Sequence, residues 1–427
     1  MKTASRLALA ALLTTGLAGT AIVAPAAAQK KDKNAGPKYS PEVVKAAGPA
    51  QTALQASDTA TAEPLVAQVE AAAKSEDDAY IAAALRYNLE AVKLQNAQKA
   101  NPNAPVNETV LAKPLEALIA SPKTPQADKA RYTYRRGALA FNGKQWPQAI
   151  QYFNQAQQLG FTDPNLGLQL VKAKAEAGDI AGATTDLDAE ITRMNAAGQK
   201  APEEYYRYAI AQSNKRKAGP QTVEWLKKYV AAYPSPKTWR DVIYTYGLQQ
   251  QSVATTDNAQ KIDLFRLLRA TGGLNDQYDY EEYAQKVYDR GLPSEAAAVL
   301  KEGQASGKIP ASSTSARLLL TDANLAVRNE GSLAGSETKA KASANGTLAS
   351  QTADAYLGQG NYAKAVELYR LALQKGSVNA DEVNTRLGIA LARSGDKAGA
   401  TAAFAAVKSQ PRADIAGLWT TWLSTAA

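Results

Sequence analysis

The chain has 427 residues, 45% of them hydrophobic and 21% charged, with a formal net charge of +9. It contains no His and no Cys, which removes disulfides, Ser-His-Asp triads, Cys-His pairs, His general bases and ordinary zinc sites. The length exceeds one ordinary core and suggests either two or three domains or an array of repeats, each packing on its neighbours.

At the N-terminus, Lys2 and Arg6 precede an apolar run from Leu7 to Val23, and Ala26-Ala27-Ala28 form a small-residue site before Gln29. Residues 1–28 therefore read as a secretory signal peptide cleaved before Gln29. A membrane anchor is the alternative, but the run is broken by Thr and Gly where a span needs ~20 apolar residues. No Cys follows the cleavage site and no later segment is apolar enough to span a bilayer. The expected mature chain is periplasmic or secreted, which argues against nucleic acid as a partner. Residues 29–38 carry Lys30, Lys31, Lys33 and Lys38. They read as a basic disordered tail, solvated or in contact with anionic surfaces.

Residues 39–125 hold stretches with helical periodicity, among them "AEPLVAQVEAAAK" and "DAYIAAALRYNLEAVKLQ", separated by the loops "NPNAPVN" and "SPKTPQ". They predict N-terminal helical hairpins. Over 126–328 the pattern sharpens. Ala149, Phe153 and Ala156 share one helix face, and Gly137 stands twelve residues before Ala149. The pattern returns 34 residues on, with Ala183 at the place of Ala149 and Leu187 at that of Phe153. Further along, Leu226 and Pro234 keep the register, but Thr222 stands where a small residue should open the second helix. Trp239, Ile243 and Tyr246 mark a first helix whose partner, "DNAQKIDLFRLLRATGG", is displaced by an insertion. Tyr280, Ala284, Val287, Ala296 and Leu300 fit again. Residues 329–347 read as a linker or weak helix. In 348–427, Ala353, Tyr356, Ala365, Tyr369 and Ala372 form one pair of helices. Leu387, Gly388, Leu391, Ala400 and Phe404 form the next, with 35 residues between Ala365 and Ala400. The end, with Leu418, Trp419, Trp422 and Leu423, predicts a helix that caps the last repeat.

This spacing resembles the tetratricopeptide repeat (TPR), two antiparallel helices per unit. The resemblance implies an all-α fold, an α-solenoid of antiparallel hairpins wound as a TPR-like superhelix, with ligands on the concave side. The whole chain is similar to exported TPR proteins of Gram-negative bacteria. That implies a scaffold binding a protein or peptide, in cell-envelope biogenesis. The alternative is an anionic polysaccharide or peptidoglycan ligand, as for TPR-like subunits of exopolysaccharide secretion systems.

Eleven of the 20 tyrosines fall between Tyr205 and Tyr288. Tyr206, Tyr229, Tyr246 and Tyr280 take core positions of the template. Arg207, Tyr208, Arg240, Tyr244, Tyr278 and Tyr288 face the expected concave side and are the candidate ligand-binding residues, since Tyr stacks and Arg binds carboxylates with two hydrogen bonds. Packing between irregular helices is the competing reading of these tyrosines. Ser336-Glu337-Thr338-Lys339 matches an S-x-x-K string, without S-D-N or K-T-G partners. Glu203-Glu204 and Glu281-Glu282 are expected to decorate helix starts, where negative charge meets the dipole. No catalytic, metal or cofactor-binding residue is expected, and the chain does not read as an enzyme.

Overall fold

The computed structural model describes residues 37–103 and 105–425. Residues 1–28, read above as a signal peptide, and nearly all of the expected basic tail at 29–38 lie outside the described residues. Most helix starts that follow coincide with a capping side chain or a proline visible in the sequence. The chain divides between Ala201 and Pro202 into two compact units.

The first unit contains α1 (Pro41–Gln55), α2 (Thr59–Ala72), α3 (Glu76–Ala100), α4 (Ala112–Ala120), α5 (Gln126–Asn142), α6 (Trp146–Gln158), α7 (Pro164–Glu176) and α8 (Ile180–Ala196). Each helix packs chiefly on the next. The core accordingly falls into local clusters: Val43, Val66 and Leu85 join α1 to α3, while Ala140, Phe153 and Leu166 join α5 to α7. Such short-range burial is what a repeat array requires. The start of α3 shows how the hairpin ends are tied. Ser75 and Asp78 form a capping box. The buried Asp78 carboxylate also accepts from the Ser40 N–H at 2.8 Å and the Ser40 hydroxyl at 2.6 Å.

The second unit contains α9 (Glu203–Lys215), α10 (Gly219–Ala232), α11 (Pro236–Ile243), α12 (Asn258–Ala270), α13 (Gln277–Asp289), α14 (Pro293–Ala305), α15 (Thr314–Glu330), α16 (Ala334–Ala342), α17 (Thr347–Gly358), α18 (Tyr362–Lys375), α19 (Ala380–Arg393), α20 (Lys397–Ala405) and α21 (Arg412–Thr425). Antiparallel hairpins recur, so the described chain is all-α as expected. A π-helical turn, Tyr244–Leu248, ends α11, and the loop before α12 is the anticipated insertion. Tyr206, Tyr229, Tyr246 and Tyr280 are all buried.

The regular hairpins close in one way. Gly137 lies on Phe153, where an added Cβ would stand 2.7 Å from the ring. Gly388 lies on Phe404 at the same interval of 16 residues, with still less room. The turns match too. "GDIAGAT" at 178–184 and "GDKAGAT" at 395–401 each begin with a positive-φ glycine, at +98° for Gly178 and +89° for Gly395. In each, the Asp side chain caps the following helix by accepting from a glycine N–H: Asp179 from Gly182 at 2.9 Å, Asp396 from Gly399 at 2.8 Å.

The terminal helix does more than cap. Trp419 is fully buried and stacks on Phe404 of the last hairpin, ring centroids 6.1 Å apart. But α21 also packs on α10 and α12, near the start of the same unit. Tyr246 donates to the Pro411 carbonyl at 2.9 Å, and the Trp419 indole N–H to the Asp263 carbonyl at 3.3 Å. The end of this unit thus returns to its beginning.

Ions seal that return. Asp263 on α12 has no exposed surface. Its carboxylate pairs with Arg266 at 2.9 Å, Arg412 at 2.9 Å and Arg386 at 3.5 Å. Arg266 also forks onto Glu295 of α14, at 2.9 and 2.6 Å. Arg386 reaches Asp354 of α17 at 2.6 Å and Glu382 at 2.6 Å. Five helices therefore meet through charge. Desolvation pushes the Asp263 and Glu295 carboxyls up, yet the surrounding guanidiniums win and hold both below the usual range.

One expectation needs correction. Glu203-Glu204 do open α9. Glu281-Glu282, however, lie inside α13, because Asp276 caps that helix and starts it at Gln277. There Glu281 accepts from Ser313 at 2.7 Å and Glu282 pairs with Lys286 at 2.9 Å. The Ser336–Lys339 string falls on α16, where Glu337 pairs with Lys341 at 2.7 Å and with Lys364 at 2.8 Å.

Candidate functional site

Three of the six candidate residues come together. Arg240 on α11 and Tyr244 at the π-turn converge on Asp279 in the first turn of α13. Arg240 donates to the Asp279 carboxylate through Nε at 3.0 Å and Nη2 at 2.9 Å, and the Tyr244 hydroxyl donates to Oδ1. The Asn275 N–H adds a fourth bond, at 2.8 Å. The Arg240 guanidinium lies 4.4 Å over the Tyr244 ring. Burial, with the bond to Asp279, pushes the Tyr244 hydroxyl well above its ordinary pKa. Beside this fixed cluster, Tyr278 is 63% exposed. Its ring is available while its helix start is pinned from below.

Arg207 stands apart from that patch. It pairs with Glu203 at 2.7 Å and donates to the Tyr229 hydroxyl at 3.1 Å. Tyr208 and Tyr288 are half-buried on α9 and α13.

A second feature gave no signal to the repeat template. A cleft of about 160 Å³ opens inside the second unit, next to the buried ion network. Leu357, Ile389 and Trp419 supply buried apolar surface. Tyr362 and Arg393 stand at its more exposed side, with the turn Gly358-Gln359-Gly360. Arg266, Arg269, Tyr283 and Glu295 complete the polar lining. None of the six candidates lines it.

The charges in this lining are not equivalent. Arg266 is committed to Asp263 and Glu295. Glu295 also accepts from the Tyr283 hydroxyl at 2.5 Å. Arg269 is held by Glu302, at 2.7 Å. Arg393, the last residue of α19, has no carboxylate within 4 Å among the described residues. Its Nε reaches the Tyr362 hydroxyl at 3.4 Å, and its guanidinium lies 5.9 Å from the centre of that ring. Chemically the cleft offers one unspent cation beside a mixed aromatic and aliphatic floor. Among the described residues, no group of three or more Asp or Glu side chains could hold a metal ion.

No family model matches the chain, and no curated protein matches it. Solved structures do. The pentatricopeptide repeat protein PPR10 from maize is 13% identical, with a TM-score of 0.30, over 88% of this chain and 61% of that one. Naa15/Naa10 bound to HypK-THB is 14% identical, with a TM-score of 0.30, over 87% of this chain and 64% of that one. The TPR domain of P58(IPK) is 12% identical, with a TM-score of 0.22, over 90% of this chain and 97% of that domain. The chain thus spans less than two thirds of the first two structures. Scores this low carry no argument about partner or role.

Proposed function

We propose that this chain is an exported, TPR-like, non-catalytic scaffold that binds a protein or peptide in the cell envelope. The observation that carries the reading is the Arg240–Tyr244–Tyr278 patch. Its polar members are fixed by Asp279, and its outer aromatic ring is left to solvent. An exposed aromatic beside a fixed guanidinium is the composition of a binding hot spot, which Tyr and Arg dominate. Export rests on the N-terminal pattern of Lys2, Arg6 and the apolar run to Val23. No described helix is long and apolar enough to cross a membrane.

The test is photo-crosslinking in cells with the reactive group at position 278. A control group goes at the exposed Lys301 on α14. A discrete protein adduct at 278 alone supports the reading. Equal labelling at both positions, or none at 278, removes it. An anionic polysaccharide or peptidoglycan is the second reading, favoured by the positive charge left once Lys2 and Arg6 go with residues 1–28, 9 − 2 = +7. Charge-driven glycan binding should fade steeply with salt, whereas an aromatic protein contact should not.

A further inference from the structure

We propose that the cleft of the second unit is a binding site for one ring-sized carboxylate, with Arg393 as the partner of its anionic group. Size sets the first limit. A space of about 160 Å³ falls below the roughly 300–1,000 Å³ of sites for drug-sized ligands. It is close to the ~150 Å³ apolar cavity that takes a single benzene ring. One ring therefore fills it.

Charge sets the second limit. Arg266 and Arg269 already spend their charge on Asp263, Glu295 and Glu302. Arg393 does not, so one positive charge is left for a ligand. A dianion such as phosphate would face the Glu295 carboxylate with too little compensation. A monoanion balances. A planar carboxylate also matches the fork of a guanidinium, which can donate two parallel hydrogen bonds to it. The ring then lies against Leu357, with Ile389 and Trp419 buried in the wall behind it. The Tyr362 ring and hydroxyl, half-exposed beside Arg393, close the outer side.

The lining comes from α12, α13 and α14 on one side and from α17, α18, α19 and α21 on the other. A bound acid would touch both, and so would tie the end of the unit to its beginning in addition to the Asp263 network. Binding to the folded form alone raises stability by mass action.

Two sources can present this chemistry: a free aromatic acid, or a uronic acid residue of an acidic glycan. Calorimetric titration of the purified protein with benzoate and with glucuronate separates them, with benzamide and glucose as the uncharged counterparts. At least one acid should bind one-to-one, with its uncharged counterpart at least tenfold weaker. Binding of benzoate points to the free acid, binding of glucuronate to the sugar. Arg393→Gln should weaken that binding by about tenfold to a hundredfold, the worth of one hydrogen-bonded charge. Tyr362→Phe should keep most of it, because the ring remains. The Arg393 side is exposed at a helix end, so an unchanged melting temperature of Arg393→Gln without ligand verifies that the fold is intact. The proposal is overturned if neither acid binds at about 10 mM, if the uncharged counterparts bind equally, or if Arg393→Gln binds as the parent does. This outcome is independent of the Tyr278 reading, because the two surfaces share no residue.

Discussion

The two units use the same hairpin and bury it differently. In the first, Phe153 fills the space over Gly137 and the core is a chain of local apolar clusters. In the second, the same interlock recurs at Gly388 and Phe404. Yet its centre is held by Asp263, Arg266, Glu295, Arg386 and Arg412, drawn from helices up to 149 residues apart. The difference has a physical cause. Apolar contacts are non-directional and tolerate substitution, so they suit a stack that repeats. Buried ions are strongly destabilising when unpaired, so they suit a closure that must form in one arrangement.

The comparison breaks most sharply at Asp263. Asp263→Ala leaves Arg266, Arg386 and Arg412 without their shared carboxylate, and removing one partner of a buried pair costs about 3–5 kcal/mol. Hydrogen exchange should show the loss in the second unit, with protection at Phe153 and its neighbours unchanged. Equal loss in both units would mean that they unfold as one, and that the contrast drawn between them is not energetic.

Acid probes the same network without mutation. The folded Asp263 and Glu295 carboxyls titrate below their unfolded values, and Glu337 is held down to about 2 by Lys341 and Lys364. A depressed carboxyl contributes stability that is present above its unfolded pKa and lost as pH falls through the folded one. Stability of the second unit should therefore fall from about pH 4.5 downwards. Asp354 works against this trend, since burial raises its pKa despite Arg386. Urea titrations between pH 7 and pH 2 should show a shallower acid slope in Asp263→Asn than in the parent. An unchanged slope would exclude Asp263 as a source of it.

The repeated interlock predicts a smaller and symmetrical effect. A methyl group on Gly137 or Gly388 would overlap the ring of Phe153 or Phe404. Overpacking of this kind costs about 1–3 kcal/mol. Gly137→Ala and Gly388→Ala should each destabilise their own unit, and Phe153→Leu or Phe404→Leu in the same chain should return part of the loss. Thermal melts of the four variants test it. A neutral Gly388→Ala would show that the ring can swing aside.

What was legible in the sequence follows the same division. Gly388 and Phe404, like Ala149 and Phe153, sit at fixed short intervals, so helix periodicity exposes them. Tyr206, Tyr229, Tyr246 and Tyr280 were placed in the core by the same register. Asp263 and Arg266 are three residues apart and read as an ordinary charged helix face. Nothing near them points to Arg412. The cleft was missed for the same reason, since Arg393 alone reads as a cation favoured at a helix C-terminus. The placement of Glu281-Glu282 failed by a turn of helix, because the Asp276 cap shifts the start of α13. Arg240 and Tyr244 were expected to face a ligand, but their common partner Asp279 is 39 and 35 residues away. Only a folded chain reveals how tightly they are already held.

The finest form of the comparison lies in the two matching turns. Asp179 and Asp396 follow positive-φ glycines and cap α8 and α20 through the same N–H position. A capping carboxylate replaced by Ala costs about 1 kcal/mol, because a helix-start donor loses its acceptor and the dipole its counter-charge. The local geometry is the same, so Asp179→Ala and Asp396→Ala should cost the same within a few tenths of a kcal/mol. Their surroundings differ: α8 ends an apolar stack, whereas α20 packs beneath α21, which carries Arg412 into the ion network. Equal costs, read from exchange at the two helix starts, would mean that a turn of this type is a self-contained element. A larger cost at Asp396 would mean that the cap also steadies α21, and that the ionic closure reaches into the most local signal of the chain.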